Sequence, residues 1–346
     1  MSTPKAQYRL TQLIKDVRAR KYRYIPREDK PIDWSSYTEA QYNEMADYLN
    51  LVREIIDEIR REIRHIEQRK VGRPPKSCFN LAKAIMVQHY FETSNRVTAG
   101  LLRVLKEKLN LTEDLTYKDI ERAYENPHVI LIFKLLFEKT QEPVKHLEKG
   151  FTGDGTGMPT SIKQNYANDK DDVKKVRLFD MMIFTMGTEY KLLTGVEITR
   201  GPVDENPFIV PLLKETKRQY DRINSFSYDA AAYSFDTIRY ITDVGATPYI
   251  FPHKNASLKA YGCMPKKRML LDFINHTQKW LRGYHTRSVS ESRNSADKRV
   301  FPRPLLKKIT CRRYFEGYAR ACRYNIRQLV YIYYVNGLDV RWLNNR

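Results

Sequence analysis

The segment from residue 150 to residue 251 most constrains the fold, because its strand-like and helix-like runs follow a definite order. Three strand-like runs come first, and Gly187-Thr188-Glu189-Tyr190 between the second and third is a hairpin signal. Helices and strands then alternate, as in βαβ units. This order predicts an α/β protein with a mixed sheet and helices on both faces. The predicted strands are 150–156, 176–186, 192–199, 223–228 and 248–251, and the predicted helices are 207–220, 235–244, 273–301 and 312–335.

The residues before this segment have helical patterns. Residues 40–70 carry apolar side chains at helical spacing and could pair with another helix or with a second copy of the chain. Residues 80–109 and 117–147 are also helix-patterned, with a break at 92–95. A helix, a polar turn and a second helix suit a DNA-binding module, although small helical bundles share the pattern. We therefore divide the chain into a helical region that could serve oligomerisation (1–69), a helical DNA-binding region (70–149) and an α/β domain (150–346).

Positive charge is concentrated towards the C-terminal end. The 346-residue chain has a formal net charge of +20, and residues 254–346 hold 21 Lys or Arg against five acids, so 16 of the 20 net charges fall there. Such an excess favours a polyanionic partner such as nucleic acid and predicts a phosphate-facing surface in that part of the chain. Tyrosines interleaved with the cations could stack on bases, although an amphipathic helix with tyrosines in its core has the same pattern.

The sequence carries no pattern of a membrane span, an export signal or a disulfide framework. No apolar run approaches the roughly 18 residues of a spanning helix, and residues 1–24 lack the apolar core of a signal peptide. The four cysteines are scattered without a CxxC pair, as is typical of reduced thiols. We therefore expect a soluble protein of the cytoplasm.

A basic linker with two prolines joins the first two regions. Its sequence, Lys70-Val71-Gly72-Arg73-Pro74-Pro75-Lys76, resembles the Gly-Arg-Pro core of hooks that place an arginine in the DNA minor groove. Arg73 and Lys76 are therefore candidate DNA-binding residues. A plain basic linker would have the same composition.

Two aspartates follow strands that the predicted order makes neighbours. Asp154 lies among glycines at the end of the first strand, and Asp229 follows the fourth strand. Two acids held close together repel each other unless cations lie between them. Mg²⁺ takes oxygen ligands and suits such a pair together with phosphate oxygens. Each aspartate by itself would equally suit a helix cap or a turn.

A third acid lies on a polar stripe of the predicted helix 273–301. At about 100° per residue, four polar residues with the spacing Tyr-x2-Arg-x3-Glu-x6-Lys share one narrow face: Tyr284, Arg287, Glu291 and Lys298. Such a stripe is ordinarily a solvated face. A single acid among cations would, however, place one metal ligand between phosphate-binding side chains.

The opposite side of that helix is predicted to pack on the sheet. It carries three apolar residues, Val289, Ala296 and Val300. Arg293 points the same way, so its charge is expected to reach solvent or a phosphate.

The acids and the polar stripe resemble the active site of a known family. The DDE catalytic triad and the Tyr-Arg-Glu-Lys signature of cut-and-paste insertion-sequence transposases are matched by Asp154, Asp229 and Glu291 and by Tyr284, Arg287 and Lys298. The catalytic domain of that family is ribonuclease-H-like, and its β-β-β-α-β-α-β-α order is the order predicted here. Gly72-Arg73-Pro74-Pro75 and the helical segment with Ser94-Asn95-Arg96 also look like the family's N-terminal region, and the resemblance makes Arg96 a further candidate DNA-binding residue. The resemblance covers about residues 70–335.

The resemblance implies a DNA transposase that binds the inverted repeats of its own element, cuts the ends and joins the 3′ hydroxyls to a target. Asp154, Asp229 and Glu291 would hold two Mg²⁺ ions about 3.5 to 4 Å apart, with Mn²⁺ as a substitute. Arg287 and Lys298 would bind phosphates near the scissile bond, and Tyr284 would contact the end DNA. The implied partners are double-stranded end DNA, target DNA and a second copy of the chain, which places the protein at the nucleoid.

The sequence departs from the family in three places. Asp229 is followed by Ala230-Ala231-Ala232-Tyr233, where many relatives have a glycine or lysine near the tyrosine. Only 62 positions separate Asp229 from Glu291, which leaves no room for the β-rich insertion of some relatives and for hairpin chemistry that depends on it. Residues 1–69 match no pattern of the family. A non-catalytic DNA-binding regulator derived from a transposase and a metal-dependent nuclease on the same fold are the alternatives.

Overall fold

The computed structural model describes residues 3–26, 31–67, 75–166 and 174–344. Helix α2 (Trp34–Glu62) covers most of the predicted helix 40–70 and begins six residues earlier. It begins there because the Asp33 carboxylate accepts the backbone N–H groups of Ser35 and Ser36. Helix α1 was not among the predicted elements. The helices before the first strand are α1 (Thr3–Arg18), α2 (Trp34–Glu62), α3 (Cys78–Tyr90), α4 (Asn95–Val104), α5 (Tyr117–Ala123) and α6 (Pro127–Lys139).

Side-chain caps set the breaks between these helices. The Ser94 hydroxyl accepts the N–H of Val97 at the start of α4, so the break predicted at residues 92–95 is confirmed. The predicted single helix 117–147 is wrong, because α5 and α6 are separate. Asn126 caps α6, and Pro127 is tolerated in a first turn but not inside a longer helix.

Five strands form one mixed sheet in the order β3-β2-β1-β4-β5. β1, β2 and β3 are antiparallel neighbours, whereas β4 runs parallel to both β1 and β5. All five predicted strands are present, and β1 continues to Tyr166 instead of ending at Thr156. The bounds are β1 (Gly150–Tyr166), β2 (Lys174–Gly187), β3 (Leu193–Arg200), β4 (Ser225–Tyr228) and β5 (Thr247–Ile250).

Helices alternate with the last two strands and then close the chain. The element order and the mixed sheet confirm the predicted α/β class, with a helical N-terminal region before a ribonuclease-H-like sheet. Every helix in the described ranges is too short or too polar to cross a bilayer. The later helices are α7 (Asn206–Gln219), α8 (Phe235–Asp243), α9 (Met264–Asn275), α10 (Thr277–Tyr284), α11 (Ser288–Val300) and α12 (Thr310–Asn336).

The predicted uninterrupted helix 273–301 is wrong. The backbone at His276 is not helical and separates α9 from α10, and a 3₁₀ turn, His285–Arg287, separates α10 from α11. In the 3₁₀ turn the Thr286 hydroxyl donates to the carbonyl of Gly283 at 2.7 Å and lies 2.9 Å from the Ser227 hydroxyl. Side-chain bonds of this kind compete with regular helix geometry, so the four signature residues do not lie on one continuous helix.

Helix α11 packs through a different face from the one predicted. Ala296 and Val300 are exposed, whereas Ser290 and Arg293 are buried. The guanidinium of Arg293 lies between two rings, 4.9 Å from the centroid of Phe184 and 4.5 Å from that of Tyr324. The expectation that Arg293 reaches solvent or a phosphate is therefore wrong, because rings from β2 and α12 supply its partners.

Helix α12 lies between the helical region and β3, and its cations pair with acids of the same chain. Arg313 pairs with buried Asp180 of β2, which lies outside the basic C-terminal segment. Tyr324 is 9% exposed, which supports the core interpretation of the helix's tyrosines. The prediction of a phosphate-facing surface is wrong for this helix. Its other ion pairs are Arg312 with Glu121 and Glu125, Arg320 with Glu316, Arg323 with Asp297, and Arg327 with Glu44.

The described residues among the first 69 contact two different parts of the molecule. The apolar stripe of α2 is buried against α3, α6 and α12, so an oligomer contact through α2 would use its other faces. Helix α1 instead lies against α9. The chain beyond it continues along the α/β domain, where the Tyr24 ring stacks on His285 with centroids 4.5 Å apart. The predicted region 1–69 therefore contributes to both sides of the molecule.

Candidate active site

The sheet brings the two aspartates to neighbouring strands, although Asp154 lies inside β1 and not at its end as predicted, because β1 continues to Tyr166. β1 and β4 are parallel neighbours, with Thr152 opposite Ser227. Asp154 lies two residues further along β1, and Asp229 directly follows β4. The negative charge of Asp229 contributes to a raised pKa at Asp154, so the two carboxylates are close enough to repel each other.

Asp154 is ionisable but poorly hydrated. Burial is the main cause that raises its pKa to about 6, and the charges of Glu205 and Asp229 add to the effect. The N–H of Gly155 donates to Asp154 Oδ1 at 3.0 Å, and Asn294 Nδ2 donates to Oδ2 at 2.9 Å. Both oxygens are therefore held by donors, while the carboxylate keeps lone pairs for a cation.

Close packing explains the glycines on either side of Asp154. A Cβ on Gly153 would lie 2.6 Å from the ring of Tyr228 and 2.7 Å from the carbonyl of Phe184. A Cβ on Gly155 would lie 2.0 Å from the carboxylate of Glu205. Glycine is therefore required at position 153, where a Cβ would meet backbone, whereas at position 155 a larger residue would push the Glu205 carboxylate away.

Glu205, at the start of α7, is an acid of this site that the sequence interpretation missed. Tyr228 donates to Glu205 Oε2 at 2.5 Å. Burial, opposed by that hydrogen bond and reinforced by the charge of Asp229, raises the Glu205 pKa. An acid directly before the helix that follows the third predicted strand was the available signal. It was weak, because acids are common at helix starts.

Asp229 has a local role as well as a place in the site. Its carboxylate accepts the N–H of Ala231 at 2.8 Å and caps the 3₁₀ turn Ala230–Ala232. The turn interpretation of this aspartate therefore holds together with its position beside Asp154. A capping bond fixes the carboxylate relative to the end of β4.

Glu291 is held by Arg287. Arg287 Nη2 lies 2.7 Å from Glu291 Oε1, and the Glu291 side chain is 55% exposed. Burial opposes the charge of Arg287, but Tyr284, Glu291 and Asp229 together raise its pKa above the ordinary value. Arg287 is thus the cation that links the third acid electrostatically to the aspartates.

The donor set at this edge of the sheet consists of carboxylate oxygens, which suits Mg²⁺ or Mn²⁺. Burial is the main cause that raises the pKa of Asp154 and of Glu205, and the negative charge of Asp229 adds to it in both. Within the described part of the chain, however, no three acid, His or Cys side chains are grouped closely enough to hold one metal ion. The carboxylate chemistry therefore fits a divalent cation, while the Glu291 side chain is paired elsewhere.

Tyr284 and Lys298 lie on opposite sides of Arg287 and Glu291 in the chain. Tyr284 is 8% exposed, and its ring stacks on Trp280 with centroids 5.5 Å apart. The Arg287 guanidinium lies 5.5 Å from the centroid of the Tyr284 ring. Lys298 is exposed at a cavity of about 320 Å³ between β1 and α11. Tyr284 therefore supports Arg287 from the core, whereas Lys298 is accessible.

The candidate DNA-binding residues of the helical region lie in different settings. Arg73 lies outside the described residues. Lys76 Nζ lies 3.0 Å from Glu113 Oε2 and donates to the carbonyl of Asp114 at 2.8 Å. Arg96 is exposed on α4, with its guanidinium 4.9 Å from the centroid of Tyr117. Of the two described residues, Arg96 is the more accessible to a phosphate.

The chain is similar in sequence to an insertion-sequence transposase. No protein-family model matches it. Over 240 residues it is 28% identical to "Probable transposase for insertion sequence element ISA1214" of Archaeoglobus fulgidus, across 68% of this chain and 70% of the relative.

Solved structures of Mos1 transposase complexes are also similar to parts of the chain. The Mos1 transposase paired-end complex with left transposon end has 11% identity and a TM-score of 0.22, over 66% of this chain and 81% of that one. The Mos1 strand transfer complex has 13% identity and a TM-score of 0.22, over 74% and 78%. At these TM-scores the two structures support no conclusion about this chain.

Proposed function

We propose that this chain is a DNA transposase that binds inverted-repeat ends and catalyses metal-dependent DNA cleavage and strand transfer. The observation that carries the proposal is the placement of Asp154 on β1 and of Asp229 directly after its parallel neighbour β4, with Arg287 paired to Glu291 and interacting electrostatically with Asp229. Sequence similarity to an insertion-sequence transposase supports it.

Asp154, Asp229 and Glu291 are the residues proposed to hold the Mg²⁺ ions, for which Mn²⁺ would substitute. When bound, such ions activate a water or a 3′ hydroxyl and stabilise the leaving oxygen of a phosphodiester. Asp154 and Asp229 keep fixed positions through Gly155, Asn294 and the Ala231 N–H. Glu291 is exposed, whereas Asp154 and Asp229 are half-buried. Its side chain is therefore free to turn towards the two aspartates.

Cations around the carboxylates would bind the DNA backbone. Arg287 presents a guanidinium that can form two parallel bonds to a phosphate, and Tyr284 holds it from behind. Lys298 lies further along α11 as an accessible point charge. Tyr284 itself is proposed to reach the end DNA only beside Arg287, because most of its ring is buried.

The helical region is proposed to bind the end DNA outside the cleavage site. Arg96 on α4 and Lys76 before α3 are the described candidates, and Arg73 in the linker is the third. Binding both ends together would need two copies of the chain, so the proposed assembly on DNA is a homodimer. The proposed location is the nucleoid of the cytoplasm, where end DNA and target DNA are both present.

Strand transfer is the activity that tests this proposal. The purified chain is incubated with Mg²⁺, a target plasmid and a labelled duplex carrying the inverted repeats that flank its reading frame. Cleavage at the repeat and covalent joining of the label to the plasmid are the expected products. Cleavage without joining would identify a nuclease instead, and neither product with tight end binding would identify a regulator.

A non-catalytic DNA-binding regulator is the second candidate. The observation that favours it is the pairing of Glu291 with Arg287, which leaves no described group of three acids that could hold a metal ion. Cleavage that requires Glu291 would exclude the regulator.

A further inference from the structure

A short chain of polar side chains connects the core of the protein to Asp154. Asn294 on α11 donates from Nδ2 to Asp154 Oδ2 at 2.9 Å. Its other amide atom, Oδ1, accepts from Nη1 of Arg293 at 2.9 Å. Neither Arg293 nor Asn294 belongs to the four-residue signature.

Packing fixes the first member of this chain. Arg293 is 6% exposed, and its guanidinium lies between the rings of Phe184 and Tyr324. Nη1 also lies 3.9 Å from the sulfur of Met182. A buried guanidinium held between two rings has few alternative positions, so Arg293 is a rigid donor.

That rigid donor determines which way the Asn294 amide points. Arginine has donors and no acceptor, so the amide oxygen of Asn294 must face Arg293. The amide NH₂ group must then face Asp154, where the carboxylate accepts it. The opposite orientation would set two donors against each other and leave an acceptor against an acid.

The bond also joins the two elements that carry the first and third acids. Asn294 lies three residues after Glu291 on α11, so the two side chains project from the same side of the helix. Asp154 lies on β1. The Asn294 bond therefore sets the distance of the Glu291-bearing turn from the Asp154 carboxylate.

We infer that Asn294 is a positioning residue for Asp154 and that Arg293 sets the orientation of its amide. This inference rests on the proposed metal-dependent function, because its consequence is a correctly placed Asp154 oxygen. Side chains that orient metal ligands typically affect metal affinity or activity by about 10- to 100-fold.

The test compares Asn294→Ala and Asn294→Leu with Ser295→Ala, an exposed neighbour on the same helix. Mn²⁺ affinity of the DNA-bound protein is measured by electron paramagnetic resonance, alongside single-turnover cleavage and end-DNA binding. Both Asn294 variants should bind Mn²⁺ about 10-fold or more weakly and cleave about 10- to 100-fold more slowly. End-DNA affinity should stay within about twofold of the wild type, and Ser295→Ala should match it throughout.

Asn294→Leu has nearly the shape of asparagine without its donor, so it remains informative if the alanine variant fails to fold. Wild-type Mn²⁺ affinity and cleavage in both variants would overturn the positioning role while leaving the proposed function intact. A wild-type protein that binds Mn²⁺ but never cleaves would overturn the proposed function. Weaker Mn²⁺ binding by the variants would then still support the role of Asn294.

Discussion

The guanidinium of Arg287 lies 2.7 Å from the carboxylate of Glu291, one helical turn further along the chain. The same guanidinium interacts electrostatically with Asp154 and Asp229, so one cation influences all three acids of the proposed site. A DNA phosphate that binds Arg287 would release Glu291 towards the aspartates. Metal binding and DNA binding are therefore expected to reinforce each other.

Arg287→Gln should separate these two effects. Without the cation, Mn²⁺ affinity of the free protein should rise by about tenfold, which corresponds to about 1.4 kcal/mol. End-DNA binding should weaken, and the slope of log affinity against log salt should fall by about 1. Calorimetry and salt-dependent binding measure both. Arg239→Gln, which removes an exposed charge from α8, should leave Mn²⁺ affinity unchanged; an equal affinity in Arg287→Gln would contradict the release mechanism.

Neutral isosteres of the three acids should abolish cleavage. Asp154→Asn, Asp229→Asn and Glu291→Gln each remove one proposed metal ligand, so single-turnover cleavage should fall on the order of a thousandfold. End-DNA affinity should remain within about twofold, because the acids contact metal and not the backbone. Asp236→Asn is the matched control, because the Asp236 side chain on α8 is exposed. Full cleavage by any of the three variants would remove that acid from the site.

Stability of the metal-free protein should decrease as pH rises through the Asp154 titration. The folded pKa of about 6 lies above the ordinary 3.8, so the folded state binds the proton more tightly than the unfolded state. The free energy of unfolding should therefore fall by about 2 to 3 kcal/mol between pH 4 and pH 6. Asp154→Asn should be more stable than the wild type at pH 7.5 and equal to it at pH 4. Urea unfolding in the presence of a chelator measures the difference in stability between Asp154→Asn and the wild type. A variant that is still more stable at pH 4 would show that ionisation of Asp154 is not the cause.

Glu205→Gln should reduce the loss of stability that ionisation of Asp154 causes. The substitution removes a negative charge that raises the pKa of Asp154 and keeps an oxygen to accept the Tyr228 hydroxyl. The loss of stability should therefore occur at a lower pH and be smaller than in the wild type. The pH series of urea unfolding measures this shift. Glu197→Gln is the control on β3, because it removes an acid whose pKa is raised by burial alone. It should leave the pH range of the Asp154 titration unchanged.

Asp180→Ala should strongly destabilise the fold. Arg313 is 6% exposed, and its Nη2 lies 3.3 Å from Asp180 Oδ1, so the substitution leaves a buried charge without its acid. The free energy of unfolding should fall by about 3 to 5 kcal/mol. Asp114→Ala breaks the exposed pair with Lys106 and should change the free energy of unfolding far less, because solvent screens that pair. Similar losses of unfolding free energy in the two variants would contradict the larger contribution expected of the buried Asp180–Arg313 pair.

Local patterns were sufficient for most elements of this chain. Apolar periodicity and turn residues predicted all five strands, and the polar turn ending at Ser94 marked the break before α4. They failed at Asn126-Pro127 and at the turn 285–287, where a cap or a side-chain bond to another element ends the helix. Such bonds depend on residues distant in sequence, which periodicity does not contain.

Sequence alone determined the element order, the assignment of Asp154 and Asp229 to neighbouring strands, and the overall positive charge, because each depends on residue types along the chain. Only the tertiary structure decided which charges are neutralised. It paired Arg313 with Asp180, buried Arg293 between two rings and placed Glu205 beside Asp154. An ion pair depends on which side chains meet in space, and packing of distant elements determines those meetings.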